Sequence, residues 1–417
     1  MKTALKEELL TGNSGLWSIG IAVMIRSIGF GATWPFMAIF FNRILHVPIY
    51  EVGLVFAALG ISGTFFQIFG GYLSDFRGRR FVLLLGSSIG IVIYAGMTLL
   101  LAHGTAVLPL IVLFILTSLS GSLIMPASNA LVVDLTAPEE RTRAYSIFRI
   151  LSNVGWAVGP LVGSILFNYG VMWIFLLVVL TLIFQFSIIY FFVTDRRANS
   201  RKTAGGIRSR FSGMIVFDRT LAIFSAGTFL LMVLSSQFSV TLPAYLVTKA
   251  SVLSNQLGYI YTVNGVVVVL GQFPMTAAVR RFKDESVVLL GTLFYILGYF
   301  LVAFSNGIFQ LMLDMVLITT GENLTTPGIN SMVSKLSPGD RVGRYMAFNG
   351  VANSSGRVMG TTAGSILLFI FSYNGIMVWS VLDMFGLFSM LIMIYLGITR
   401  KRGDWQEVST AITVSGR

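Results

Sequence analysis

Between residues 150 and 194 the chain runs 45 positions without one Asp, Glu, Lys or Arg. A helix crossing the hydrocarbon core of a bilayer uses roughly 20 apolar residues, so this stretch is long enough for two. Asn168, Tyr169 and Gly170 near its middle supply a tight turn between them. Residues 81–102 form another charge-free stretch, of one-helix length. Across all 417 residues 55% are hydrophobic, 11% are charged and the mean hydropathy is +0.83. In lipid every backbone N–H and C=O needs an internal partner, which apolar segments of this length meet as helices. The sequence therefore predicts an all-α integral membrane protein.

Twelve spans are predicted, at 15–41, 52–73, 81–102, 108–133, 146–167, 172–193, 220–247, 256–278, 287–304, 308–333, 346–372 and 376–398. The first follows a polar tail, 1–14, and is too long for a removable signal peptide, with no small-residue cleavage site. The longest non-apolar stretch, 195–219, is rich in Arg, Ser and Gly. It is expected to be a cytoplasmic linker between six-helix bundles at 15–194 and 220–398, followed by a C-terminal tail at 399–417. The net charge of +12 is distributed unevenly between the loops. Of 29 basic residues, 24 fall in segments on the side of the termini, whereas the opposite loops hold Arg43 and Lys249. Such asymmetry orients both termini toward the cytoplasm, and it explains the charge without nucleic acid. There is no cysteine and there are two histidines, so neither a disulfide framework nor a metal site is expected, and no cofactor.

The halves resemble each other. Gly53, Gly60 and Gln67 match Gly258, Gly265 and Gln272 at a separation of 205. Pro138, Arg141, Tyr145 and Asn153 match Pro338, Arg341, Tyr345 and Asn353 at 200, and Pro126 and Asn129 match Pro327 and Asn330 at 201. Both halves start inside with an even number of spans. They are parallel repeats related by an axis along the membrane normal, with a substrate site expected between them near the midplane.

Between spans 2 and 3 stand Gly71, Asp75, Gly78, Arg79 and Arg80, within Gly70-Gly71-Tyr72-Leu73-Ser74-Asp75-Phe76-Arg77-Gly78-Arg79-Arg80. Physically, Gly71 permits close helix approach, Gly78 a tight turn, and Asp75 can meet a helix N-terminus or an Arg. A plainer reading makes Arg77, Arg79 and Arg80 positive-inside anchors. The matching loop 279–285 keeps Arg280, Arg281 and Lys283 but lacks the glycines, so any latch there is degenerate. Span 5 carries Gly155, Gly159, Pro160 and Gly163. Glycines four apart let a partner backbone come close, and Pro160 removes a helix hydrogen bond.

These segments resemble signatures of the major facilitator superfamily, and the likeness extends from about residue 15 to 400. The resemblance implies a secondary transporter, with the loop between spans 2 and 3 latching the halves on the cytoplasmic side. Its span-5 motif is similar to that of the twelve-helix drug:proton antiporters. Two positions depart from that group: Thr117 stands where a basic residue is usual, and Arg26 where span 1 often carries an acid.

Ionisable residues inside the bilayer are costly and point to function. Counting a 1.5 Å rise from each inner end, Arg26, Glu322 and Arg357 all lie about 16 to 18 Å deep. Glu322 can pair with Arg357 or with Arg26, either as a permanent ion pair or as a proton carrier whose protonation frees an Arg. Asp314 and Asp383, nearer the outer side, are further candidates for proton coupling, and Arg149 snorkels to the inner interface. Trp34, Gln237, Tyr261 and Asn264 join Arg26 and Arg357 as candidate substrate-binding residues, with Trp34 equally placed to anchor a helix end.

The functional expectation is proton-coupled efflux of hydrophobic or amphipathic small molecules, by a monomer in the cytoplasmic membrane of a prokaryote. The alternative is uptake of a small organic anion or sugar-like solute, with Arg26 and Arg357 clamping the anion. His-rich metal spacings, a Gly-x-Ser-x-Gly turn and a phosphate loop are all missing from the sequence, which argues against an enzyme.

Overall fold

The computed structural model describes residues 14–104, 106–136, 140–193, 218–250, 252–279, 281–337 and 341–401. Residues 1–13 and 402–417 of the tails, 195–217 of the expected linker 195–219, and the matched Pro138 and Pro338 lie outside the described residues. The helices are α1 (Ser14–Ile39, continued by a π-turn Phe40–Ile44), α2 (Ile49–Arg77), α3 (Arg79–His103), α4 (Val107–Leu135), α5 (Arg141–Phe167) and α6 (Val171–Phe192). After them come α7 (Arg219–Ser235), a 3₁₀ turn Ser236–Phe238, α8 (Thr241–Thr248), a 3₁₀ turn Ser254–Gln256, α9 (Leu257–Val279), α10 (Asp284–Val302), α11 (Ile308–Leu336), α12 (Val342–Ile370) and α13 (Gly375–Lys401). Among the described residues, nine segments are long and apolar enough to cross a membrane, with Arg219–Thr248 counted as one. The charge-free run at 150–194 breaks where expected: Gly170 takes φ 120° and its N–H closes the turn onto the carbonyls of Leu166 and Phe167.

The predicted seventh span, 220–247, is not one helix. After Ser235 the chain tightens into the 3₁₀ turn, and the cause is a side chain in that turn. The Gln237 Nε2 donates to the Val233 carbonyl (2.6 Å) and the Gly360 carbonyl (2.9 Å), holding the turn against α12. Side-chain capture of backbone carbonyls competes with helix continuation.

The described residues pack as two units, one within 1–203 together with 239–269 and the other within 204–238 together with 270–417. These differ from the expected halves over 239–269. The reason is visible at two of the repeat-matched glycines. A Cβ on Gly258 would strike Ser164 and the Pro160 carbonyl, and one on Gly265 would strike Ala157, so the glycines let α9 lie directly on α5.

In the first unit α5 seats against α1 backbone to backbone. The Cβ positions of Gly155, Gly159 and Gly163 meet the carbonyls of Met24, Ile28 and Ala32. The second unit repeats this between α12 and α7, with Gly356 against the Phe229 carbonyl and Gly360 against Val233. The structural registers are thus 205 for α1 to α7 and 201 for α5 to α12. Such small-residue seams replace the hydrophobic drive that is missing between helices in lipid.

Candidate functional site

Each unit presents a cluster of polar and aromatic side chains, and in the second Arg357 stands exposed. In the first, Trp34 stacks on Phe30 (5.4 Å, 22°), Phe30 lies edge-on to Trp156, and Trp34 lies edge-on to Phe56. The Trp34 Nε1 donates to the Ser239 hydroxyl at 3.3 Å. Beneath these rings is a cavity of about 180 Å³ lined by Phe30, Thr33, Trp34, Leu59, Tyr94 and Phe114, with Thr117, Ser118, Gly121 and Ser122 of α4 forming one wall. The Arg26 guanidinium lies 5.6 Å from the Phe30 ring centroid, a cation–π contact. It also reaches to 3.8 Å from where a Gly121 Cβ would stand. Its charge acts on the Tyr94 hydroxyl, which is itself hydrogen-bonded to Thr117.

In the second unit Tyr295 of α10 is the hub. Its hydroxyl is 3.1 Å from the Ser235 hydroxyl and within hydrogen-bonding reach of Thr325, and the charges of Glu322 and Arg357 both act on it. The Arg357 Nε donates to Asn353 Oδ1, one turn back, at 3.1 Å. Tyr299 stacks on Tyr295 and on Trp379 of α13, and its hydroxyl donates to the Ser235 carbonyl.

Among the candidate substrate residues, Trp34 lines the cavity, and Arg26 stands beside two of its lining residues, Phe30 and Gly121. Gln237 is fully buried with its amide donor committed to backbone, Tyr261 is buried at 2% exposure, and Asn264 is part-buried on α9. None of the three lines the cavity. The carboxylate candidates separate similarly. Asp314 accepts from the Ser305 hydroxyl at 2.6 Å, whereas Asp383, 4% exposed, has no hydrogen-bond partner for either oxygen among the described residues.

At the expected latch, Gly78 takes φ 95° and forms the sharp α2–α3 turn. Gly71, expected at a close helix approach, faces open space; the close approach is at Gly70, whose Cβ would lie 2.9 Å from the Ser122 carbonyl. The glycine pair offers the right residue type at both positions, and the phase of α2 selects the first. The Asp75 side chain lies outside the described residues. The Arg79 Nε pairs with Asp134 Oδ2 at 3.2 Å and its Nη1 donates to the Ser74 carbonyl, while Arg80 donates to the Tyr190 carbonyl and lies over the Tyr190 ring. The second unit has a counterpart that lacks the loop glycines. Asp284, the first residue of α10, accepts from Lys335 (2.6 Å) and Ser331 (2.9 Å) of α11. Lys335 stands 201 residues after Asp134, so the pair recurs with its charges exchanged.

Tyr94, Tyr295, Thr325 and Asp134 went unread in the sequence, and Thr117 was read only as a departure from the antiporter pattern. One signal was present: the 201-residue separation that matches Pro126 to Pro327 also matches Tyr94 to Tyr295 and Gly121 to Glu322.

Comparison with known proteins agrees with this architecture. The model of the Major Facilitator Superfamily matches residues 19–252 and 224–412. Multidrug resistance protein MdtH of Aeromonas hydrophila is 26% identical over 387 residues, 91% of this chain and 94% of that protein. A Na(+), Li(+), K(+)/H(+) antiporter of Planococcus maritimus is 24% identical over 79% of this chain and 84% of its own length. The crystal structure of peptide transporter POT in complex with sulfate superposes with a TM-score of 0.73 at 14% identity, over 94% of this chain and 95% of that one, a likeness of fold. The matched family, the apolar helices and the glycine seams lead to one assignment: the chain is a multi-pass membrane transporter that belongs to the Major Facilitator Superfamily.

Proposed function

We propose that this transporter exports hydrophobic or amphipathic small molecules in exchange for protons. In this reading twelve spans in two six-helix bundles, 15–194 and 220–398, work by alternating access as a monomer in a prokaryotic plasma membrane, with linker and tails cytoplasmic. The observation that carries it is that Glu322 and Arg357 stand near enough to Tyr295 for both charges to act on its hydroxyl. A carboxylate so deep in an apolar bundle is costly unless it serves a cycle of charge and neutralisation. Protonating Glu322 removes one of the two opposite charges that act on Tyr295. Tyr295 then adjusts its bonds to Ser235 on α7 and Thr325 on α11, so one proton alters contacts on three helices. The kinship with a multidrug resistance protein and with a cation/proton antiporter supports export and exchange.

The test is proton-driven efflux of a lipophilic dye from cells or inverted vesicles carrying the parent or Glu322→Gln. Gradient-driven transport is expected to disappear in the variant while counterflow down the substrate's own gradient persists. Full gradient-driven transport in Glu322→Gln makes Glu322 structural and moves coupling to Asp314 or Asp383.

A further inference from the structure

We propose that the cavity of the first unit is an anion subsite, and that the transported molecule is a small amphipathic organic acid whose carboxylate, sulfonate or phosphonate group is held by Arg26. The inference rests on the reading of this cavity as part of the substrate path, and it names the class of substrate.

The starting point is a charge without a counter-charge. Arg26 lies about 18 Å from the start of α1, yet among the described residues it makes neither an ion pair nor a hydrogen bond to an acceptor; it lies over the Phe30 ring and near Gly121, with its charge acting on Tyr94. The described acids of its unit, Glu51, Asp134 and Glu140, stand at helix ends. A guanidinium presents five N–H donors, and leaving a charge uncompensated at this depth is expensive. The ring face offsets part of the charge but accepts none of those donors in the plane of the fork.

The cavity wall tells the same story from its hydroxyls. Thr117, Ser118 and Ser122 donate to the carbonyls of Phe114, Ile115 and Gly63. Their protons are committed to backbone, so they offer oxygens only. Trp34 spends its N–H on Ser239. With the Thr117 proton on Phe114, the Tyr94 hydroxyl gives its own proton to Thr117, so the strong donor left for a ligand is Arg26. A cation would find a like charge here, and a neutral apolar molecule would leave the guanidinium bare. An acid with a compact ring satisfies both parts: its anionic group meets the planar fork of Arg26, and its ring lies among Phe30, Trp34 and Phe114. The volume of about 180 Å³ is below that of drug-sized pockets, which favours a one- or two-ring molecule over a large cationic dye.

The test is binding to the purified full-length protein in lipid nanodiscs by titration calorimetry. Three isosteres of one ring serve as probes: 1-naphthoate, 1-naphthylmethanol and 1-naphthylmethylammonium. For the parent, 1-naphthoate is expected to bind about 10- to 100-fold tighter than the alcohol, the range for a hydrogen bond to a charged group, with the ammonium weakest. Arg26→Gln should bring 1-naphthoate down to the level of the alcohol while the alcohol's affinity stays put, which also shows that the variant is folded. Arg26→Lys should keep an intermediate preference. The proposal is overturned if the parent binds none of the three, if it prefers the ammonium or shows no preference, or if the preference for the acid survives Arg26→Gln. Binding needs neither a gradient nor Glu322, so a failure of proton-coupled export leaves this result standing, and the reverse holds as well.

Discussion

Gly159→Ala adds one methyl group where α5 has no room for it. The new Cβ would lie 2.7 Å from the Ile28 carbonyl oxygen and 2.8 Å from both the Ala32 nitrogen and the Gly31 carbonyl carbon. The shortest of these falls 0.7 Å inside the 3.4 Å at which ordinary contact begins. All three neighbours are backbone, so no rotamer change relieves the clash and the whole of α1 has to shift. Forcing an extra methylene into a close-packed interior costs about 1–3 kcal/mol. For a unit of some 200 residues that is a fall in midpoint of roughly 2 to 12 °C, read by thermal unfolding of the purified protein in one detergent at one scan rate. Gly71→Ala is the control. It has nothing within 4 Å and exchanges a poor helix former for the best one, a gain of up to about 1 kcal/mol. An unchanged midpoint in Gly159→Ala, or an equal fall in Gly71→Ala, would show that the α1–α5 seam has room for the methyl group.

Two further perturbations test the charges outside the cavities. Asp134→Lys sets two cations together at the α3–α4 contact; with both side chains of the pair 25% exposed the expected loss is about 1 kcal/mol, restored in the double variant Arg79→Asp/Asp134→Lys and measured by the same unfolding assay. Asp383→Asn removes an ionisable group without breaking a hydrogen bond among the described residues, so stability is expected to hold or rise; a drop beyond about 1 kcal/mol would show that the carboxylate has an essential partner.

Positions of the helices were legible because lipid imposes a length. The run at 81–102 became Arg79–His103, and the double-length run split at Gly170. The break in the seventh span was hidden because Ser236-Gln237-Phe238 contains neither Gly nor Pro, and its cause sits on another helix, at the Gly360 carbonyl. The cavity was hidden for a related reason. Tyr94, Thr117 and Ser118 are uncharged, and uncharged polar residues are common along such spans. Their convergence depends on helix rotation, which an almost uniformly apolar sequence encodes weakly. Arg26 and Glu322 stood out because a charge at mid-span is rare whatever the rotation.

The exchanged ion pairs bear on how a duplicated chain assembles at all. While the helices insert, α3 has two candidate partners of similar shape, its own α4 and the copy, α11, and α10 has the same choice. Correct pairing joins Arg79 to Asp134 and Asp284 to Lys335. Crossed pairing would set Arg79 against Lys335 and Asp284 against Asp134, like charges both times. The two matched joints thus carry opposite labels, and the sign of the charge distinguishes the right partner helix from the wrong one for each hairpin.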